Sequence, residues 1–123
     1  MAKVTLTAEA KKIIAGAGPA LIATSSKNGK SHVQIKGSFR IVDDGTLVFV
    51  DIDSPRTLAN LRDNPQLSTM VFEPEAGQSC RIWGKTEIIT KGELFDEIKE
   101  ELAEKKRKLR HLVLMKIEEV EVF

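Results

Sequence analysis

The pair Asn28-Gly29 constrains this chain more than any other feature. It lies between the small and β-branched residues of 20–26 and a run that starts at His32. Asn-Gly suits the two positive-φ positions of a tight primed turn, so the flanking runs are expected to fold back on each other as an antiparallel hairpin. A second turn, Asp43-Asp44-Gly45-Thr46, separates the run 32–42 from 47–51. Three strands joined this tightly are expected to be antiparallel neighbours. Gly37 interrupts the middle run and marks a bulge or bend in it.

The rest of the chain reads as further strands and short helices. Thr7 is placed to cap a helix whose apolar stripe holds Ile13 and Ile14 and which ends near Gly16-Ala17-Gly18-Pro19. Ser54 as cap, Pro55 in the first turn and Pro65 as the stop define a second helix. Runs 66–72 and 81–90 read as strands around a loop that holds Pro74 and Gly77. Leu94, Phe95, Ile98 and Leu102 then fall on one helical face. Val113, Met115 and Ile117, followed by Val120 and Val122, alternate as a final strand over 111–123. Six strands and three short helices in 123 residues predict one mainly-β domain over 1–123, a small closed antiparallel barrel that leaves few edges exposed.

Charge removes several function classes. Nineteen basic residues against eighteen acidic give a net charge of +1, too small a monopole to draw the whole molecule to nucleic acid or an anionic membrane. Any bound anion has to be held locally. The single Cys80 forms no internal disulfide and has no neighbour that would activate it, so it reads as a small buried residue. His32 and His111 match no metal-ligand spacing, and no side chain stands out as a general acid or base. Asp43 and Asp44 suit a turn, while Asp51 stays open as a pocket wall. No basic-then-apolar leader opens the sequence and apolar runs last only about four residues, against the roughly twenty that span a bilayer, so a soluble cytoplasmic protein is expected.

Two segments are candidates for binding. The start of the Ser54 helix exposes backbone N–H groups, with Arg56 adding a cationic fork, Thr57 a hydroxyl and Asn60, one turn on, a brace. That combination suits a phosphate monoester. It equally suits a plain helix start whose arginine reaches a surface carboxylate. The second segment puts Gln34, Lys36 and Ser38 on one face of a strand, where Lys36 would stabilise negative charge on a bound heterocycle. An outward polar strand face explains the same pattern. The basic run Lys105-Lys106-Arg107-Lys108-Leu109-Arg110 follows six acids in the last helix and complements its dipole, while nucleic-acid binding is the sharper reading. Trp83 is either core or an interface residue.

The order of Lys36-Gly37-Ser38-Phe39, Asp43-Asp44-Gly45-Thr46-Leu47, Phe49-Val50-Asp51-Ile52, Arg56-Thr57-Leu58-Ala59-Asn60-Leu61, Asn64-Pro65 and Arg81-Ile82-Trp83-Gly84 resembles the pyridoxamine 5′-phosphate oxidase-like FMN-binding split barrels, and most closely their small single-domain members. The resemblance implies a Greek-key split barrel, a homodimer, and FMN held between subunits. It further implies that Arg56 and Thr57 take the phosphate, that Lys36 and Ser38 line the site, and that Val50, Asp51 and Ile52 meet the flavin ring through backbone groups. Gln34 stands where the true oxidases have an arginine, and Thr57 replaces their common lysine. The arginine-histidine apparatus those oxidases carry near the C-terminus is missing from 111–123, so oxidation of pyridoxamine phosphate itself is not expected.

The expectation is therefore a cytoplasmic FMN flavoprotein that passes electrons or a hydride, with NAD(P)H or a protein as redox partner and with no nucleic-acid or membrane partner. A dimeric module that holds FMN or another phosphorylated ligand without turnover is the alternative.

Overall fold

A computed structural model describes residues 5–37 and 39–123. In chain order these form α1 (Ala8–Gly16), β1 (Ala20–Ser25), β2 (Ser31–Lys36), β3 (Arg40–Asp43), β4 (Thr46–Asp51), α2 (Pro55–Asp63), β5 (Gln66–Glu73), β6 (Gln78–Ile89), α3 (Glu93–Glu104) and β7 (His111–Val122). The strands make one antiparallel sheet in the order β2-β1-β5-β6-β7-β4-β3. The mainly-β class and the three helices match the sequence reading. The strand count and the closure do not: among the described residues there are seven strands rather than six, and β2 and β3 are open edges with no ladder between them.

The run 32–42 is two strands, not one bent strand, because β2 stays with β1 while β3 turns away to pair with β4 at the far edge of the sheet. Strands β2 and β4, expected to lie side by side, are therefore not neighbours. In a flat sheet of this order they would be five strand spacings, about 24 Å, apart. Yet the Lys36 ammonium at the end of β2 is 5.7 Å from the centre of the Phe49 ring in β4. The sheet is strongly curled, bringing the end of β2 against β4.

The first turn also differs from expectation. Gly29 alone has positive φ, at 87°, and its N–H donates to the Ser26 carbonyl while Ser26 and Lys30 are paired. Asn28 is not in the left-handed region, so the hairpin closes through a three-residue loop ending in a left-handed glycine. Asn28 instead uses its side chain, accepting from the Lys30 N–H.

The concave face holds one core, built from Ile22, Leu47, Phe49, Leu67, Val71, Ile82, Val113 and Met115, and α1 covers it with Ala10 and Ile13. Thr7 caps α1 as expected, accepting from the Ala10 N–H at 3.1 Å. A second core lies on the convex side, where Phe95, Ile98 and Leu102 of α3 pack on Val48, Val50 and Leu112. Residues 47–51 are buried at every position because β4 is covered on both faces. The phase slip from Ile117 to Val120 in β7 is a bulge: Gly84 pairs with Ile117 and Trp83 with Glu119. Cys80 is fully buried and free, and burial pushes its thiol pKa up. Among the described residues no helix is long and apolar enough to cross a membrane.

Candidate functional site

Where β4 hands the chain to α2, a cleft of about 520 Å³ opens between the two edges of the sheet. Gln34 and Lys36 from β2 form one wall and Val50 and Ile52 the other. The period of two in β2 turns both polar side chains inward, where Lys36 is 8% exposed. Its ammonium donates to the Ser54 hydroxyl, and Gln34 Nε2 donates to the same oxygen at 3.1 Å. The Thr57 hydroxyl donates to Gln34 Oε1 at 2.6 Å. Desolvation lowers the Lys36 pKa from its ordinary value, and the negative charge of Asp51 partly offsets this.

Ser54 occupies the N-cap position of α2, but its hydroxyl makes no cap bond. The first intrahelical bond runs from Leu58 N–H to the Ser54 carbonyl. Pro55 has no N–H, so the backbone donors of Arg56 and Thr57 lack both an intrahelical partner and a side-chain cap. The hydroxyl that sequence assigned to them serves β2 instead.

Gln34, Lys36, Val50 and Ile52 are brought together at the cleft, and Thr57 joins them from behind through Gln34. Arg56 is exposed on the first turn of α2 and is not part of the cleft wall. Asn60 does not brace Arg56 or Thr57: its amide donates to Thr24 Oγ1 at 3.0 Å and ties α2 to β1. Asp51 does not line this cleft: it is 1% exposed, with Oδ2 at 2.7 Å from His111 Nδ1. Ser38 lies outside the described residues.

Sequence reasoning missed the basic side of the cleft. Arg40, Lys105 and Arg107 also line it, and Arg40 is paired with Glu101 at 2.9 Å. Lys105 and Arg107 have no ion pair among the described residues. They reach the cleft because α3 ends in a Schellman turn, in which Arg107 N–H donates to the Leu102 carbonyl and Lys106 N–H to that of Ala103. That turn needs a left-handed residue, and Lys106 adopts it at φ 59° where glycine is usual. The basic run was visible in the sequence; its meeting with β2 was not.

A sequence model of the pyridoxamine 5′-phosphate oxidase family matches residues 6–123. The chain belongs to that family. No curated protein matches the sequence. Among solved structures, HupZ of Group A Streptococcus is 24% identical with a TM-score of 0.82, over 94% of this chain and 91% of that one. An FMN-binding protein from Syntrophomonas wolfei subsp. wolfei is 20% identical with a TM-score of 0.78, over 89% and 80% of the two chains. General stress protein 26 from Bacillus anthracis str. Sterne is 16% identical with a TM-score of 0.69, over 91% and 88%. These likenesses establish a shared fold.

Proposed function

We propose that this protein binds FMN and works as an oxidoreductase or electron-transfer protein, as a homodimer with the flavin between subunits. The cleft between β2 and β4 carries the reading. Its volume falls in the range of small-molecule sites, with apolar Val50 and Ile52 for a flat ring and unpaired Lys105 and Arg107 for an anion. The uncapped N–H groups of Arg56 and Thr57 and the Arg56 guanidinium offer a further anion site at the start of α2. Lys36, fixed by Ser54, is held where it stabilises negative charge on a bound ring. When bound, the flavin supplies the redox chemistry, and the chain binds, orients and shields it.

The dimer is supported by the convex face of the sheet. The register aligns Ile35, Leu21 and Met70 in one row and Val33, Ala23, Ser68 and Trp83 in the next. Ile35 and Val33 are 64% and 62% exposed, an apolar strip in a chain that is 30% charged. Trp83 is half-buried at its far end, which favours the interface role over the core. Ile35 also lines the cleft, so a second copy seated on this strip would complete the cleft rim. The cytoplasm is the proposed location, with NAD(P)H or a protein as electron source.

The test is a flavin spectrum of the purified protein after FMN is added, followed by anaerobic NADH and NADPH. Bound flavin that bleaches supports the oxidoreductase. Bound flavin that no donor reduces assigns the chain a holding role, and failure to bind FMN removes the reading.

A further inference from the structure

The turn that walls the large cleft has a second, smaller cavity behind it. Ile52, Asp53 and Ser54 line both. The second cavity, about 210 Å³, is lined further by Arg62 of α2 and by Arg110 and His111 where β7 begins. That is below the usual volume for a cofactor, which starts near 300 Å³, and suits a small molecule. Neither arginine has an ion pair among the described residues, and both are exposed.

Beneath them lies an Asp–His pair that the flavin reading does not use. Asp51 is 1% exposed and lines the same cavity. Its Oδ2 holds His111 Nδ1 at 2.7 Å, and its carbonyl accepts from the Arg110 N–H at 3.1 Å. One buried residue thus fixes both the imidazole and the backbone of the adjacent arginine. A carboxylate on Nδ1 sets the proton on that nitrogen and leaves Nε2, across the ring, without a protein partner among the described residues. The lining also holds Asp51 and Asp53, so its formal charges balance, and the two guanidiniums serve as directed N–H donors rather than as a net positive field.

We propose that this cavity binds a hydrogen phosphate group, with Arg62 and Arg110 donating to its anionic oxygens and its remaining P–OH donating to the bare His111 Nε2. The shared wall places such a group next to the large cleft, where it would anchor a small acidic substrate. The proposal stands whether or not the cleft takes FMN.

The chain has two histidines, so His32 is an internal reference for His111. Inorganic phosphate and, separately, acetate are titrated into the protein while the two imidazole ring signals are followed by NMR. A saturable shift of His111 with a fixed His32 is expected from phosphate, and none from acetate, which has no O–H to donate to Nε2. In Arg62→Gln/Arg110→Gln, altered only at exposed positions, affinity should fall at least tenfold while FMN uptake and the melting temperature are kept. The proposal is overturned if His111 does not move, if both rings drift without saturation, or if the double variant binds as the wild type does. Loss of FMN binding alone would remove the flavin reading and leave this site standing.

Discussion

Asp51 and His111, sixty residues apart, face each other across the β4–β7 ladder with Oδ2 and Nδ1 2.7 Å apart. The other oxygen of Asp51 is buried and has no hydrogen-bond partner among the described residues, so His111 is the main group that satisfies this carboxylate. His111→Ala is expected to destabilise the fold by about 1–3 kcal/mol, because it orphans a buried acceptor. Asp51→Asn keeps an oxygen for the ring and removes the buried charge, so its loss should be smaller. Urea denaturation with an unchanged m-value measures both.

Lys36 gives a pH signature. Its pKa is lowered below the ordinary 10.5 by burial, so between the lowered value and 10.5 the unfolded chain binds more protons than the folded one. Stability contributed at this site therefore rises with pH through that window. The penalty for burying the charged lysine is fully present below it. Lys36→Met removes the titration, so the wild type should gain on the variant as pH climbs toward 10.5 and run parallel to it at lower pH. Urea midpoints of the two proteins over the alkaline range test this, and a constant difference would contradict the burial argument.

Gly84 is required by contact, not by φ. A Cβ there would meet the Lys116 carbonyl oxygen at 2.2 Å, at the β6–β7 bulge. Backbone is the obstacle, so the strands must part. Gly84→Ala is expected to cost about 3 kcal/mol. Gly37→Ala, with nothing within 4 Å of the added carbon, should stay within about 0.5 kcal/mol of wild type. Thermal or urea unfolding of the pair separates them.

Local signals read well in this sequence because their physics is local. Thr7 capping α1, Pro55 and Pro65 bounding α2, and the apolar stripe of α3 all appear where propensity and spacing put them. Gln34 and Lys36 share a face because strand periodicity alone requires it. What failed was long-range. Nothing near Gly37 says that the next residues pair at the opposite edge of the sheet, so one strand was expected where two exist. The local pattern around Ser54 points only to a cap of its own helix, yet its hydroxyl is taken by Lys36 and Gln34 from β2. The Asp51–His111 pair and the basic cleft wall were hidden for the same reason.

The proposed flavin reading offers two candidate loci for the phosphate: Arg56 at the start of α2, and Lys105 with Arg107 at the end of α3. A charge-assisted hydrogen bond is worth about 1.5–3 kcal/mol, so losing the residues that hold the phosphate should weaken FMN about tenfold or more. Riboflavin lacks the phosphate and should be unaffected by the same change. Flavin fluorescence titrations of Arg56→Ala and of Lys105→Gln/Arg107→Gln with both ligands show which locus discriminates between them. Equal weakening of FMN and riboflavin would deny the residue a phosphate role.

Val33 separates the dimer from the cleft. It is 62% exposed in the apolar strip but, unlike Ile35, is not part of the cleft wall. A glutamate there leaves the local cleft chemistry intact and puts a charge into any interface formed by the strip. Val33→Glu is therefore expected to be monomeric by light scattering where the wild type is dimeric. If the flavin lies between subunits, FMN affinity should fall with the dimer, by about tenfold or more, although no cleft residue has changed. A monomeric variant that keeps wild-type FMN affinity would place the whole flavin site within one chain, and a wild type that is itself monomeric would leave the strip without its proposed partner.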